Sequence, residues 1–161
     1  MILLGLGSSL PYCGAAPQDV MAHAVRALEA VFGGLLISGF YASPAWPDPS
    51  DPPFINAAAV LTGSAPRPAD LLDILHGVEA AFGRRRDRLN GPRTLDIDLL
   101  AYGDIIAEGR PVLPHPGLET RDFVLAPLME IAPGYRSPRS GRTIQDLYAR
   151  LDRVGAIRLS R

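Results

Sequence analysis

The chain has 161 residues, 47% of them hydrophobic and 20% charged, and its 16 basic side chains almost balance 17 acidic ones for a net charge of −1. That profile describes one globular domain over residues 1–161 and argues against a surface built to neutralise a nucleic-acid backbone; no apolar run approaches the ~20 residues of a membrane span, so no membrane partner is expected either. All 16 basic residues are arginine, which excludes chemistries that need a lysine: the P-loop, the protein-kinase strand lysine and the pyridoxal Schiff base.

The N-terminus, MILLGLGSSL, lacks the basic flank of a secretory signal and reads as a buried strand over about 1–6. It runs into Gly5-Leu6-Gly7-Ser8-Ser9, a strand-to-loop turn without the lysine of a Walker A loop or the third glycine of a Rossmann fingerprint. The lone Cys13 permits no internal disulfide and fits a reducing cytoplasm, the expected location. Residues 17–32 read as a helix, with Val20, Ala24, Ala27 and Val31 at helical spacing and Gly33-Gly34 as its stop. A second strand is expected over 35–41, a proline-rich loop over 44–53, and a third strand with a continuous apolar run over 54–62. Pro68 opens the next helix, whose Leu71, Leu75, Val78 and Phe82 line one stripe before Gly83 stops it. A strand over 94–102 completes β-α-β-β-α-β, an α+β ferredoxin-like order: a mostly antiparallel sheet, both helices on one face, and the other face free for a site. After Gly103 comes a C-terminal extension, with a further hairpin at about 104–113 and short helices near 124–130 and 143–151.

The stretch 84–100, RRRDRLNGPRTLDIDLL, carries the clearest chemistry. The strand period of two separates Leu95, Ile97 and Leu99 from Asp96 and Asp98, which places the two carboxylates on one face roughly 7 Å apart. Such a pair can converge on one hard cation or bracket two, and arginine forks bind phosphate oxygens bidentately, so the stretch suits a nucleotide triphosphate with magnesium. The plainer alternative is a polar strand face salt-bridged to nearby arginines. Asn56 is a second clue, because an amide inside the apolar run Ile55, Ala57, Ala58, Ala59, Val60 needs a hydrogen-bonding partner that a ligand can supply. Phe54 and Phe123, taken by themselves, read as core residues. His115 lies between two prolines, where a rigid loop can aim it; His23 and His76 read as surface helix residues.

The motif G-P-R-T-L-D-I-D-L at 91–99 resembles that of the hydroxymethyl-dihydropterin pyrophosphokinases of folate biosynthesis. The resemblance extends through Gly5-Leu6-Gly7-Ser8, Phe54-Ile55-Asn56-Ala57, Leu113-Pro114-His115-Pro116 and Arg121-Asp122-Phe123-Val124-Leu125-Ala126-Pro127-Leu128, five motifs in order over about 130 residues. It implies transfer of pyrophosphate from ATP to the hydroxymethyl group of 6-hydroxymethyl-7,8-dihydropterin, with attack at the β-phosphorus and AMP as the second product. It also implies two Mg²⁺ ions held by Asp96 and Asp98; Arg84 and Arg93 in catalysis; and Glu79, Arg86, Arg93, Arg110, His115 and Arg121 on ATP. The pterin would lie between Phe54 and Phe123, read by Asn56, under a loop of Ser43, Pro44 and Trp46. A monomer acting on small molecules alone is expected. This chain departs from the pattern at Leu89-Asn90, where an aromatic is usual in a loop about one residue longer, and at Ser9, where asparagine is usual. Two other readings place paired carboxylates or a ligand on the same sheet: a palm-like nucleotidyltransferase or cyclase, which releases inorganic pyrophosphate, and a ferredoxin-like RNA-binding module, which wants strand aromatics and a basic surface.

Overall fold

A computed structural model describes residues 1–45, 48–84, 91–152 and 155–160. In chain order the elements are β1 (Ile2–Ser8), α1 (Pro17–Phe32), β2 (Leu35–Ile37), β3 (Tyr41–Ser43), β4 (Phe54–Leu61), α2 (Pro68–Ala81), β5 (Asp96–Tyr102), α3 (Asp122–Ile131), α4 (Ile144–Tyr148) and β6 (Ile157–Arg158). The strands form one antiparallel sheet in the order β5-β1-β4-β3-β6, with β2 also on β4, and the expected βαββαβ core is its centre.

The helices start and stop where local chemistry directs. Pro17 and Pro68 occupy first-turn positions, where a missing N–H costs nothing. Gly33 closes α1 in the left-handed conformation, φ 74°, donating its N–H to Glu29 O at 2.8 Å. The buried stripe of α1 is Val20, Met21, Ala24, Leu28 and Phe32, so the expected positions Ala27 and Val31 are out of phase; Val31 is 51% exposed. Two overlapping stripes fit the helical period here, and the one with the larger side chains removes more apolar area from water.

The expected second strand is two strands. From Ile37↔Ala59 to Tyr41↔Asn56, three residues on the edge face two on β4, which makes a β-bulge over Ser38, Gly39 and Phe40. Ser38 keeps the connection by donating its N–H to Ala58 O (3.0 Å) and accepting Ala58 N–H on its Oγ (2.9 Å).

One sheet face carries α1 and α2 over a core that includes Leu4, Leu6, Leu28, Ala57, Ala59, Leu71, Leu75 and Ile97. The opposite face is not left free as the topology alone suggested. The extension returns across it, and Leu125 and Leu128 of α3 pack with Leu3, Ala58, Val60 and Leu100 into a second core, with α4 behind. Only the end of this face near Gly7, Asn56 and Asp96 remains open. Residues 104–113 form a single bridge, Ala107↔Leu113, rather than a hairpin.

The phase of α1 can be checked directly. Leu28→Ala is expected to lower unfolding free energy by about 2–5 kcal/mol and Val31→Ala to stay within about 0.5 kcal/mol of wild type, measured by denaturant titration; equal losses would restore the other stripe.

Candidate active site

Two rows of side chains cross the open end of the sheet. Gly7 of β1 pairs with Asp96 on one side and Asn56 on the other, and Gly5 pairs with Asp98 and Ala58. A carboxylate and an amide are thus separated by one strand, ~9.5 Å over two interstrand spacings. The intervening glycines leave the floor open. A Cβ at Gly7 would lie 3.5 Å from the Phe54 ring, 3.6 Å from Asn56 Oδ1 and 3.9 Å from Asp96 Cβ, and one at Gly5 would touch Leu100 at 3.4 Å. The cleft above them is bounded by Ser43, Pro44, Phe54, Arg93, Arg121 and Phe123.

The end of β5 is anchored from both sides. Ser8 Oγ donates to Thr94 O (2.6 Å), Ser9 and Leu10 N–H donate to Arg93 O (3.0 and 3.1 Å), and Ser9 Oγ accepts from Arg93 N–H (3.0 Å). Ser9 therefore makes its own loop contact, and the asparagine usual at this place is not required for one. Glu79, expected on the nucleotide or exposed on its helix, is neither exposed nor at the cleft surface: it is 2% exposed, and its Oε1 accepts from Ile97 N–H (2.7 Å) and from the Arg84 guanidinium.

The carboxylates differ in environment. Asp96 Oδ1 meets Arg84 at 2.5 Å and Oδ2 meets Arg93 at 3.3 Å, so two cations flank it, with all three side chains less than a fifth exposed. Burial and then the neighbouring Asp96 charge push the Asp98 carboxyl above its ordinary value, against the opposing pull of His115, Arg121 and Arg93. Arg93 Nε is buried without a hydrogen-bond partner among the described residues, as is Thr94 Oγ1. A buried donor left open beside a pair of carboxylates fits an anionic ligand that brings its own cation.

At the other end, both phenylalanines line the cleft, each under a guanidinium: Arg93 Cζ lies 5.5 Å from the Phe54 centroid and Arg121 Cζ 5.7 Å from that of Phe123. Phe54 belongs to neither large core, while Phe123 also packs against the second one. Asn56 is 5% exposed, and its Nδ2 donates to Ser43 Oγ at 2.9 Å, so part of its hydrogen bonding is met by protein. His115 is tied to β5 by its backbone N–H on Leu100 O (2.8 Å), and its Nδ1 accepts Gly117 N–H (3.0 Å). Arg110 is not brought to the cleft; it is 62% exposed and pairs with Asp73 at 2.6 Å. Trp46 and Arg86 lie outside the described residues. Sequence reasoning passed over Gly5 and Gly7 as a turn, although two glycines at the strand period beside two aspartates at the same period were a visible signal.

The family model described as 7,8-dihydro-6-hydroxymethylpterin-pyrophosphokinase matches residues 3–133. The chain belongs to this family. It is 40% identical over 159 residues to the 2-amino-4-hydroxy-6-hydroxymethyldihydropteridine pyrophosphokinase of Methylorubrum extorquens, covering 97% of this chain and 96% of that one. It is 45% identical over 116 residues to the protein of that name in Synechocystis sp., covering 71% of this chain and 58% of the relative. The fold is shared with the HPPK-DHPS crystal structure from Plasmodium falciparum at TM-score 0.71 and 14% identity; the match covers 92% of this chain and 40% of that one. Membership in the pyrophosphokinase family sets aside the nucleotidyltransferase and RNA-binding readings.

The two carboxylates should respond oppositely to removal in chelator-treated, ligand-free protein. Asp98 has a raised folded value, so between the ordinary carboxylate pH of about 3.8 and that higher value the folded chain holds more protons than the unfolded chain, and stability falls as pH rises. Asp98→Asn is expected to raise the melting temperature at pH 7 and to flatten that slope. Asp96→Ala leaves Arg93 without its carboxylate and Arg84 with Glu79 alone, and should cost about 1–3 kcal/mol. Stabilisation by both variants would show that carboxylate repulsion outweighs the arginine pairs.

Proposed function

We propose that this chain transfers the pyrophosphoryl group of ATP to the hydroxymethyl oxygen of 6-hydroxymethyl-7,8-dihydropterin, giving the pterin diphosphate and AMP. One observation carries the reading: a single cleft joins a carboxylate-and-arginine end to a two-phenylalanine slot with a buried amide. Family membership supports the same reaction.

In this reading the pterin lies between Phe54 and Phe123, with Asn56, fixed by Ser43, at its heterocyclic edge and Pro44 beside it; Trp46 belongs to the same loop. ATP extends toward Asp96 and Asp98. Arg93 presents Nε to the polyphosphate, Arg121 and His115 add positive potential from the opposite side, and Arg84, held by Glu79, keeps Asp96 in place. Arg86 joins this group. Arg110, in its ion pair with Asp73, acts on the nucleotide only if that pair opens. Two Mg²⁺ ions held by Asp96 and Asp98 would neutralise the polyphosphate when ATP binds. The acceptor oxygen forms a bond to the β-phosphorus as the bond from that phosphorus to the α-phosphate oxygen breaks; AMP leaves with the electron pair, and the hydroxyl proton passes to solvent. The chain's contribution is positioning and electrostatics, and none of the groups lining the cleft needs to serve as an obligatory general base. The reading treats residues 1–161 as one domain and a cytoplasmic monomer acting on small molecules, with neither nucleic acid nor membrane as partner. Among the described residues no helix is long and apolar enough to cross a membrane.

Incubation with ATP, Mg²⁺ and the reduced pterin, followed by phosphorus NMR, should give AMP and pterin diphosphate in equal amounts. ADP, or inorganic pyrophosphate with a nucleotidylated acceptor, would overturn the reading. Arg93→Ala should lower the single-turnover rate by about 10²-fold, the scale for one lost transition-state donor. An unchanged rate would leave Arg93 as a structural partner of Asp96 only.

A further inference from the structure

The last described residues are fastened by two carboxylates of α3. Oδ2 of Asp122, at the start of the helix, accepts the N–H groups of Gly155 (2.6 Å) and Ala156 (2.9 Å). Near its end, Glu130 Oε1 accepts from Arg158 Nε (2.5 Å) and from the Tyr41 hydroxyl (2.6 Å), and Oε2 accepts Gly39 N–H (2.8 Å). Between these anchors β6 pairs with β3 through Tyr41↔Arg158 and Ala42↔Ile157. A two-residue strand with Ile157 70% exposed has little hold of its own; the two carboxylates supply it together with Leu159 N–H on Phe40 O (2.8 Å) and the burial of Ala156.

The strap formed by residues 155–158 runs beside both walls of the aromatic slot, pairing with Ala42 two residues before Pro44. A Cβ built on Gly155 would lie 3.6 Å from Asp122 Oδ2 and 3.7 Å from Pro44 Cδ. Pro44 lines the cleft, and so do Arg121 and Phe123, the two neighbours of Asp122 in sequence. The other Asp122 oxygen, Oδ1, accepts Phe123 N–H at 2.8 Å. One carboxylate therefore holds both the backbone of a slot phenylalanine and the strap that passes beside Pro44. The strap lies beyond residue 133, where the family match ends.

We propose that Asp122 is a positioning residue that, by clamping the strap between Pro44 and the start of α3, sets the width of the slot and so the affinity for its flat heterocyclic occupant. The identity of that occupant rests on the function proposed above. Charge-assisted hydrogen bonds have the strength and direction needed to fix such a separation, and the phenylalanine they position stands on the first turn of a helix whose far end is also tied to the sheet.

The test uses the full chain with Asp122→Asn and, separately, Gly155→Pro, which removes a strap donor while leaving Asp122 intact. Both should raise KM for the pterin by about ten- to hundredfold, the range for one or two lost hydrogen bonds to a charged group, with kcat and the ATP KM near wild type. Thr143→Ala, which removes the cap of α4, serves as a destabilised control and should leave the pterin KM unchanged. Amide hydrogen exchange at residues 41–43 and 122–124 should accelerate in both strap variants without any ligand. The proposal is overturned if pterin KM moves no more than in the control, if kcat and both KM values shift together, or if exchange is unchanged. A wild-type protein that forms no pterin-dependent AMP would defeat the reaction reading instead, and the exchange result would still decide the strap.

Discussion

A central strand whose last two residues on one face, Gly5 and Gly7, carry no side chains is the constraint on which the site depends. Gly5 and Gly7 sit between β4 and β5, where any side chain would stand on the cleft floor. Glycine in a strand costs backbone entropy and contributes no packing. The deficit is offset on the other face, where Leu4 and Leu6 are fully buried or nearly so, and at the strand's end, where Ser8 and Ser9 bind the backbone of residues 93 and 94. The same two serines therefore fix the position of Arg93 relative to the floor it overlooks.

Charge is distributed unevenly over that floor. Asp96 is flanked by Arg84 and Arg93, and Arg84 is in turn held by Glu79 under the start of β5. Asp98, half-buried, lies beside a like charge, with His115, Arg121 and Arg93 acting on it more weakly than burial and Asp96 do. A site arranged this way is under electrostatic tension when empty, and in the reaction proposed above a cation arriving with ATP would relieve it. Fold stability spent at Asp98 would then become binding free energy.

The chemistry was more legible in the sequence than the geometry around it. The alternation of Leu95, Asp96, Ile97, Asp98 and Leu99 is a one-strand signal, and the sheet reproduces it. Helix α1 was placed correctly but its phase was not, because several small and β-branched residues fit the period and only packing against the sheet decides between them. The bulge at Ser38 to Phe40 depends on a serine side chain replacing a backbone group and on Glu130, ninety residues away, accepting Gly39 N–H. Nothing local encodes that. The burial of Glu79 and the outward ion pair of Arg110 are likewise tertiary outcomes: one helical glutamate falls under β5, whereas Arg110 finds Asp73 on the outer surface of α2.

The bulge also governs how the molecule meets copies of itself. A straight edge from Leu35 to Ser43 would present a long row of unpaired backbone groups, with Leu36 exposed along it. Instead the edge is cut into two three-residue pieces out of register with each other, and one of them is already paired with β6. A second chain adding by strand pairing finds three residues at β2 before the backbone turns away, too short a grip for stable edge-to-edge growth. The kink that seats Tyr41 and Ser43 beside the cleft is therefore also a safeguard against aggregation during synthesis, when the edge is formed before the C-terminal residues that cover half of it have been made.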